Sequence, residues 1–173
     1  EISCSLVGSE MCIRDRYSHF GYNLKATDMQ AAIGCAQIKK FPTFVEKRIH
    51  NFDRLKAALA GCEDKLILPE ACDNARPSWF GFLITCKEGV DRNKVVPYIE
   101  AHGVQTRMLF AGNLIKHPCF DQMRASGKGY RVIGDLSVTD RVMSNTFWVG
   151  VYPGMTDEMI DYMAKTIKEA VNQ

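Results

Sequence analysis

No run of apolar residues in this 173-residue chain approaches the roughly 20 needed to cross a bilayer, so a membrane-spanning role is not expected. Charge of one sign is scarce as well. The formal net charge is only +2, with Lys and Arg scattered along the chain, so no long-range field exists to gather nucleic acid or anionic lipid. Nucleic acid is therefore not an expected partner. Seven cysteines are present, but they form no C-x-x-C pair, the local spacing that zinc and iron–sulfur sites use. They read as reduced thiols in a cytoplasmic protein, and no metal ligand is assigned among them. Internal repeats and low-complexity tracts are lacking too, which argues against a solenoid or a linker. Gly127, Gly129 and Gly134 do not follow a strand segment, so they fail the dinucleotide fingerprint and are assigned to a loop.

What is present suits one domain with its own core: 46% of residues are hydrophobic and 24% charged. Residues 17–25 read as a loop, containing Gly21 and Asn23. Thr27 with Gln30 makes a capping-box pair, and the small residues Ala31, Ala32, Gly34 and Ala36 follow it into a helix. Pro42 is expected to end or kink that helix. A second amphipathic helix is expected from Phe44, Val45, Ile49, Phe52, Leu55 and Leu59, up to Gly61. Beyond it, residues 66–68, 78–86 and 104–110 read as strands. Between the last two lies a helix opened by Asp91 and closed by Gly103, with Pro97 as a local conflict. Residues 138–143 are expected to be helical, 146–151 a strand and Pro153-Gly154 a turn. Thr156, Asp157 and Glu158 then open a last helix with the stripe Met159, Ile160, Met163, Ile167 and Val171. The fold class implied is α+β, a short sheet with packed helices behind a long helical connector.

Residues 1–16 stand apart. Their longest apolar stretch is Leu6-Val7, and Glu10, Arg14, Asp15 and Arg16 occupy places where a signal peptide is apolar. The segment resembles translated sequencing-adaptor DNA. It is expected to be unstructured, with residues 17–61 forming a loop and connector helices and residues 62–173 the α+β domain.

The stretch GYNLKATDMQAAIGCAQ, from Gly21 to Gln37, resembles a signature of the DegT/DnrJ/StrS family of sugar aminotransferases and dehydratases. SWFGFLITC, GVQTRMLFAGNLIKHPCF and NTFWVGVYPGMTDEMI resemble its subgroup of 3-dehydrases acting on CDP-4-dehydro-6-deoxyglucose in lipopolysaccharide synthesis. The resemblance runs from Tyr17 to the C-terminus. It implies the small C-terminal antiparallel-sheet domain of a fold-type-I enzyme using pyridoxal or pyridoxamine phosphate, an electron sink that would let the sugar C3 hydroxyl leave. It also implies a homodimer, a CDP-sugar substrate and a reductase partner. The cofactor-anchoring lysine, or the histidine that replaces it in dehydrases, would lie upstream. So would the ligands of a [2Fe-2S] cluster. No catalytic residue is therefore expected in this chain, and Lys25 does not match the anchoring lysine.

Several residues acquire expected roles. Asn23 matches a family position that bonds the cofactor phosphate of the partner subunit, with Tyr22 beside it; a loop asparagine tolerating a left-handed turn is the other reading. Phe80 stands where many family aminotransferases carry a histidine near the substrate, although a strand phenylalanine is more often core. Arg107 and Arg141 could each fork a nucleotide phosphate or remain solvated surface arginines. Asn113, next to Gly112, falls in a segment resembling a substrate-proximal loop of the family. His19, His50, His102 and His117 receive no role. Three functional readings follow: a sugar-nucleotide dehydrase, a plain sugar aminotransferase of the same family, and a free-standing α+β binding module. The signature at Gly21–Gln37 argues against the last.

Overall fold

The computed structural model describes residues 26–173, together with the strands β1 (Leu6–Val7) and β2 (His19–Phe20). Tyr22 and Asn23 lie outside the described residues, as does most of the 1–16 segment. The chain divides into two compact units, Glu1–Pro42 and Thr43–Gln173. In the first, β1 and β2 pair antiparallel, with Leu6 opposite Phe20.

Helix α1 runs from Asp28 to Ala58. Its start is the capping box read from sequence: the Thr27 N–H donates to Gln30 Oε1 at 2.9 Å, and the Gln30 N–H to Thr27 Oγ1 at 3.3 Å. The expected break at Pro42 does not occur, and the helix passes through it for 31 residues. A proline inside a helix removes one donor and crowds one carbonyl, a penalty of about 3 kcal/mol. The same helix buries Phe52 and Leu55, and burying such side chains contributes about 1.5–3 kcal/mol each. Those residues join the core of the second unit.

The second unit continues with β3 (Leu66–Ile67), β4 (Gly81–Cys86), α2 (Arg92–Ala101) and β5 (Thr106–Met108). Two 3₁₀ turns, Leu114–Lys116 and Pro118–Phe120, then lead to α3 (Asp121–Ser126), α4 (Ser137–Asn145), β6 (Thr146–Gly150) and α5 (Asp157–Val171). The sheet is antiparallel throughout, in the order β3-β4-β6-β5. Strands β4 and β5 are shorter than the sequence suggests. The ladder begins only at Gly81 and releases the chain after Met108, where Phe110 takes a left-handed φ of 48°.

Alternation along the strands gives the sheet two faces. Phe82 and Ile84 of β4 with Phe147 and Val149 of β6 are fully buried against Leu55, Leu59, Ile99, Ile160 and Ile167. Both flanking helices are capped as read: Asp91 accepts from the Asn93 N–H, and the Thr156 side chain from the Met159 N–H. Pro97 is tolerated because its ring faces solvent while Val95, Val96 and Ile99 face the core. The α5 stripe differs from expectation at Met159, which is half exposed, and Ala164, Thr166 and Ala170 take part instead. Among the described residues no helix is long and apolar enough to cross a membrane.

Candidate functional site

The second face of the sheet is open, and it collects two of the expected site residues. Leu83, Trp148 and Arg107 are cross-strand neighbours in one row, since β4 pairs Leu83 with Trp148 and β5 pairs Arg107 with Trp148. Trp148 leans along β4 over Gly81, its diagonal neighbour two residues before Leu83, where no side chain stands in the way. A Cβ on Gly81 would stand 2.6 Å from the indole Cε3, closer than any ordinary contact. Phe80 completes the cluster, edge-on to Trp148 with centroids 5.4 Å apart and planes at 85°, a favoured aromatic geometry. Phe80 is 60% exposed and so is not a core residue.

Beside this row a groove of about 620 Å³ runs between the β5–β6 end of the sheet and α5, lined by Arg107, Trp148, Tyr152, Glu158, Met159 and Tyr162. Its charges are of both signs. Arg107 has no carboxylate or hydrogen-bond partner among the described residues. The Glu158 carboxylate is held below the usual carboxylate range, first by its own backbone N–H and then by the Thr156 hydroxyl at the start of α5. Tyr162 is fixed by its hydroxyl, which donates to the His102 carbonyl at 3.0 Å. Aromatic faces beside an unpaired guanidinium can stack a planar ring and hold a phosphate.

The third expected residue, Asn113, is elsewhere and otherwise occupied. It is 3% exposed, and its amide donates to Asp140 Oδ1 at 2.7 Å. Lys116 donates to the other oxygen of the same carboxylate, also at 2.7 Å. Both bonds hold the Asp140 pKa below its ordinary value, Lys116 contributing most. The amide of Asn113 thus shapes the 109–117 segment rather than facing a ligand. Arg141, next along α4, is exposed and unpaired among the described residues. The structure therefore brings Phe80 and Arg107 together through Trp148, and places Asn113 on the segment packed with α4 and Arg141 on α4 itself.

Trp148, although inside the stretch NTFWVGVYPGMTDEMI, and Asp140 receive no role from the sequence. The signal for Trp148 was its place between Phe147 and Val149, which alternation puts on the open face. Of the cysteines, Cys62 and Cys86 are buried. Burial pushes the Cys86 thiol up to about 11 and the Cys62 thiol upward as well, which leaves them protonated and poor nucleophiles. Among the described residues no three His, Cys, Asp or Glu side chains converge as a metal site.

The profile of the DegT/DnrJ/EryC1/StrS aminotransferase family matches residues 4–168. The chain belongs to that family. Among its family relatives, the chain is 50% identical over 155 residues to the lipopolysaccharide biosynthesis protein RfbH of Salmonella typhimurium, covering 88% of this chain and 34% of that protein. It is 45% identical over 157 residues to the dTDP-4-dehydro-2,6-dideoxy-D-glucose 3-dehydratase of Saccharopolyspora spinosa, covering 90% and 33%. The chain thus spans about a third of the length of these relatives. The E. coli GDP-4-keto-6-deoxy-D-mannose-3-dehydratase, solved with bound hydrated PLP, superposes with a TM-score of 0.75 at 23% identity, over 94% of this chain and 40% of that one. That likeness shows the fold: the small α+β sheet domain found in the aminotransferase-fold enzymes of the family.

Proposed function

We propose that this chain is the C-terminal portion of a cytoplasmic enzyme, dependent on pyridoxal or pyridoxamine phosphate, that removes the C3 hydroxyl of CDP-4-dehydro-6-deoxyglucose. The observation that carries the reading is the 45% identity, over nearly the whole chain, to a relative named as a sugar-nucleotide 3-dehydratase. The equally extended likeness to a lipopolysaccharide biosynthesis protein supports the biosynthetic setting. The family's description as aminotransferases favours amino transfer at C4 as the second reading.

The described residues do not themselves fit the cofactor. Phosphate binding wants a cradle of inward donors, yet Arg107 and Arg141 are exposed and the buried amide of Asn113 is engaged by Asp140. Their place is on the substrate side. Either Arg107 or Arg141 forks the substrate's diphosphate from the solvent side, and Trp148 with Phe80 forms an apolar wall beside Arg107. Asn113 keeps its loop in place. The role proposed for Asn23, outside the described residues, is a bond to the cofactor phosphate of the partner subunit in a homodimer, with Tyr22 next to it in sequence. A [2Fe-2S] cluster ligated upstream receives electrons from a reductase.

Borohydride reduction of the intact, cofactor-loaded gene product separates the two readings. A histidine upstream leaves no covalently retained cofactor after denaturation, the expected result. Retention on a lysine peptide, read by mass spectrometry, would select the aminotransferase.

A further inference from the structure

Phe110 combines two features that folding alone does not reward. Its φ of 48° is in the left-handed region, strained for a residue with a bulky side chain. The residue is 84% exposed, so hydrophobic burial does little to offset that strain. The surroundings impose the conformation. The Phe110 N–H donates to the Met108 carbonyl at 2.8 Å. On its other side Gly112 has a φ of 62°, and a Cβ there would stand 2.6 Å from Met143 Cγ. Asp140 then takes Asn113 and Lys116 together, His117 Nε2 meets the Ala111 carbonyl at 2.5 Å, and Arg124 bonds the His117 carbonyl at 3.0 Å. Helix α4, which supplies Asp140 and Met143, is itself anchored, because Arg92 donates to the Met143 carbonyl at 2.6 Å.

Next to the ring lies a shallow groove of about 440 Å³ whose further lining includes Leu114, Val138, Thr139 and Val142. The Thr139 hydroxyl is its one polar side-chain group. A nucleobase edge needs several donors and acceptors, and a diphosphate needs cations; neither is supplied here. A methyl group needs none. The sugars named for the Saccharopolyspora and E. coli relatives are both 4-keto and 6-deoxy, and so carry a methyl at C5.

We propose that Phe110 is a specificity-determining contact for the C6 methyl of a 4-keto-6-deoxyhexose, and that Asp140 is a positioning residue holding it in place. This rests on the sugar-nucleotide reading above. The contact is apolar, so its discrimination against a 6-hydroxyl is moderate: one group in a hydrophobic pocket separates substrates by about 10–200-fold.

The test uses the full-length, cofactor-loaded enzyme with CDP-4-dehydro-6-deoxyglucose and its 6-hydroxy counterpart, in wild type, Phe110→Ala, Phe110→Leu and Asp140→Ala. Expected is about a tenfold loss of kcat/KM for the 6-deoxy sugar in Phe110→Ala, mostly through KM, on the scale of a lost apolar contact. Activity on the 6-hydroxy sugar falls by less, so the preference for the 6-deoxy sugar narrows, inhibition by free CDP stays unchanged, and Phe110→Leu retains part of the selectivity. Asp140→Ala loses the same selectivity and, in the 173-residue chain, speeds hydrogen exchange of the 111–116 amides, which Phe110→Ala leaves slow. Unaltered selectivity in Phe110→Ala would overturn the proposal while leaving the dehydratase reading standing. Weaker CDP inhibition in that variant would also overturn it, since Phe110 would then be reading the nucleotide. Wild-type enzyme that turns over neither sugar removes both.

Discussion

Asp140 shows how much of the 111–116 segment depends on one carboxylate. It holds two side chains from a segment 24 to 27 residues earlier, and its ionised form is the one both bonds favour. Its folded-state pKa is depressed, so the bonds contribute stability above the unfolded carboxylate value, near 4, and lose it as pH falls through the lower folded value. Amide exchange across residues 111–116 should therefore be slow and constant from neutral pH down to about 5, once corrected for intrinsic rates, and then accelerate in acid. Constant protection down to about pH 2 would show that the carboxylate is not holding the segment. Gly112 is the complementary case. Its left-handed φ and the 2.6 Å approach of Met143 predict that Gly112→Ala costs about 1–3 kcal/mol by overpacking and strain. Denaturant melts of the two chains would measure it.

At the level of elements, the termini of helices were the most legible features. Thr27 with Gln30, Asp91 and Thr156 all cap as their residue types require, because a side-chain oxygen near free N–H groups is a local matter. Thr156→Ala should lower stability by about 1 kcal/mol. Pro42 was less legible than Pro97, whose helix was read from its caps. Pro42 and Pro97 both lie inside helices, since each local penalty is offset by side chains that the same helix buries at a distance. Pro97→Ala should consequently raise the melting temperature, with a gain of about 1–3 kcal/mol from the restored helix propensity. An unchanged or lower melting temperature would mean that the ring itself packs usefully. The 3₁₀ turns at 114–120 and the short α3 were not legible, being too brief to carry a period. For the site, resemblance pointed to Phe80 and guanidinium chemistry to Arg107, while the tryptophan joining them depended on strand register and on a glycine 67 residues away.

Across the whole molecule, the family and its small sheet domain follow from the matched profile and the superposition, and the proposed chemistry would rest on parts of a longer protein. The chain spans about a third of its relatives, so a decisive measurement must use the intact enzyme. That enzyme, loaded with pyridoxamine phosphate and supplied with a reductase and a reduced nicotinamide, should be incubated with CDP-4-dehydro-6-deoxyglucose and the sugar product analysed by mass spectrometry and proton NMR. The account predicts a product lighter by one oxygen atom, with a methylene at C3 and the C4 carbonyl retained. A product that keeps its C3 hydroxyl and carries an amine at C4 would contradict it.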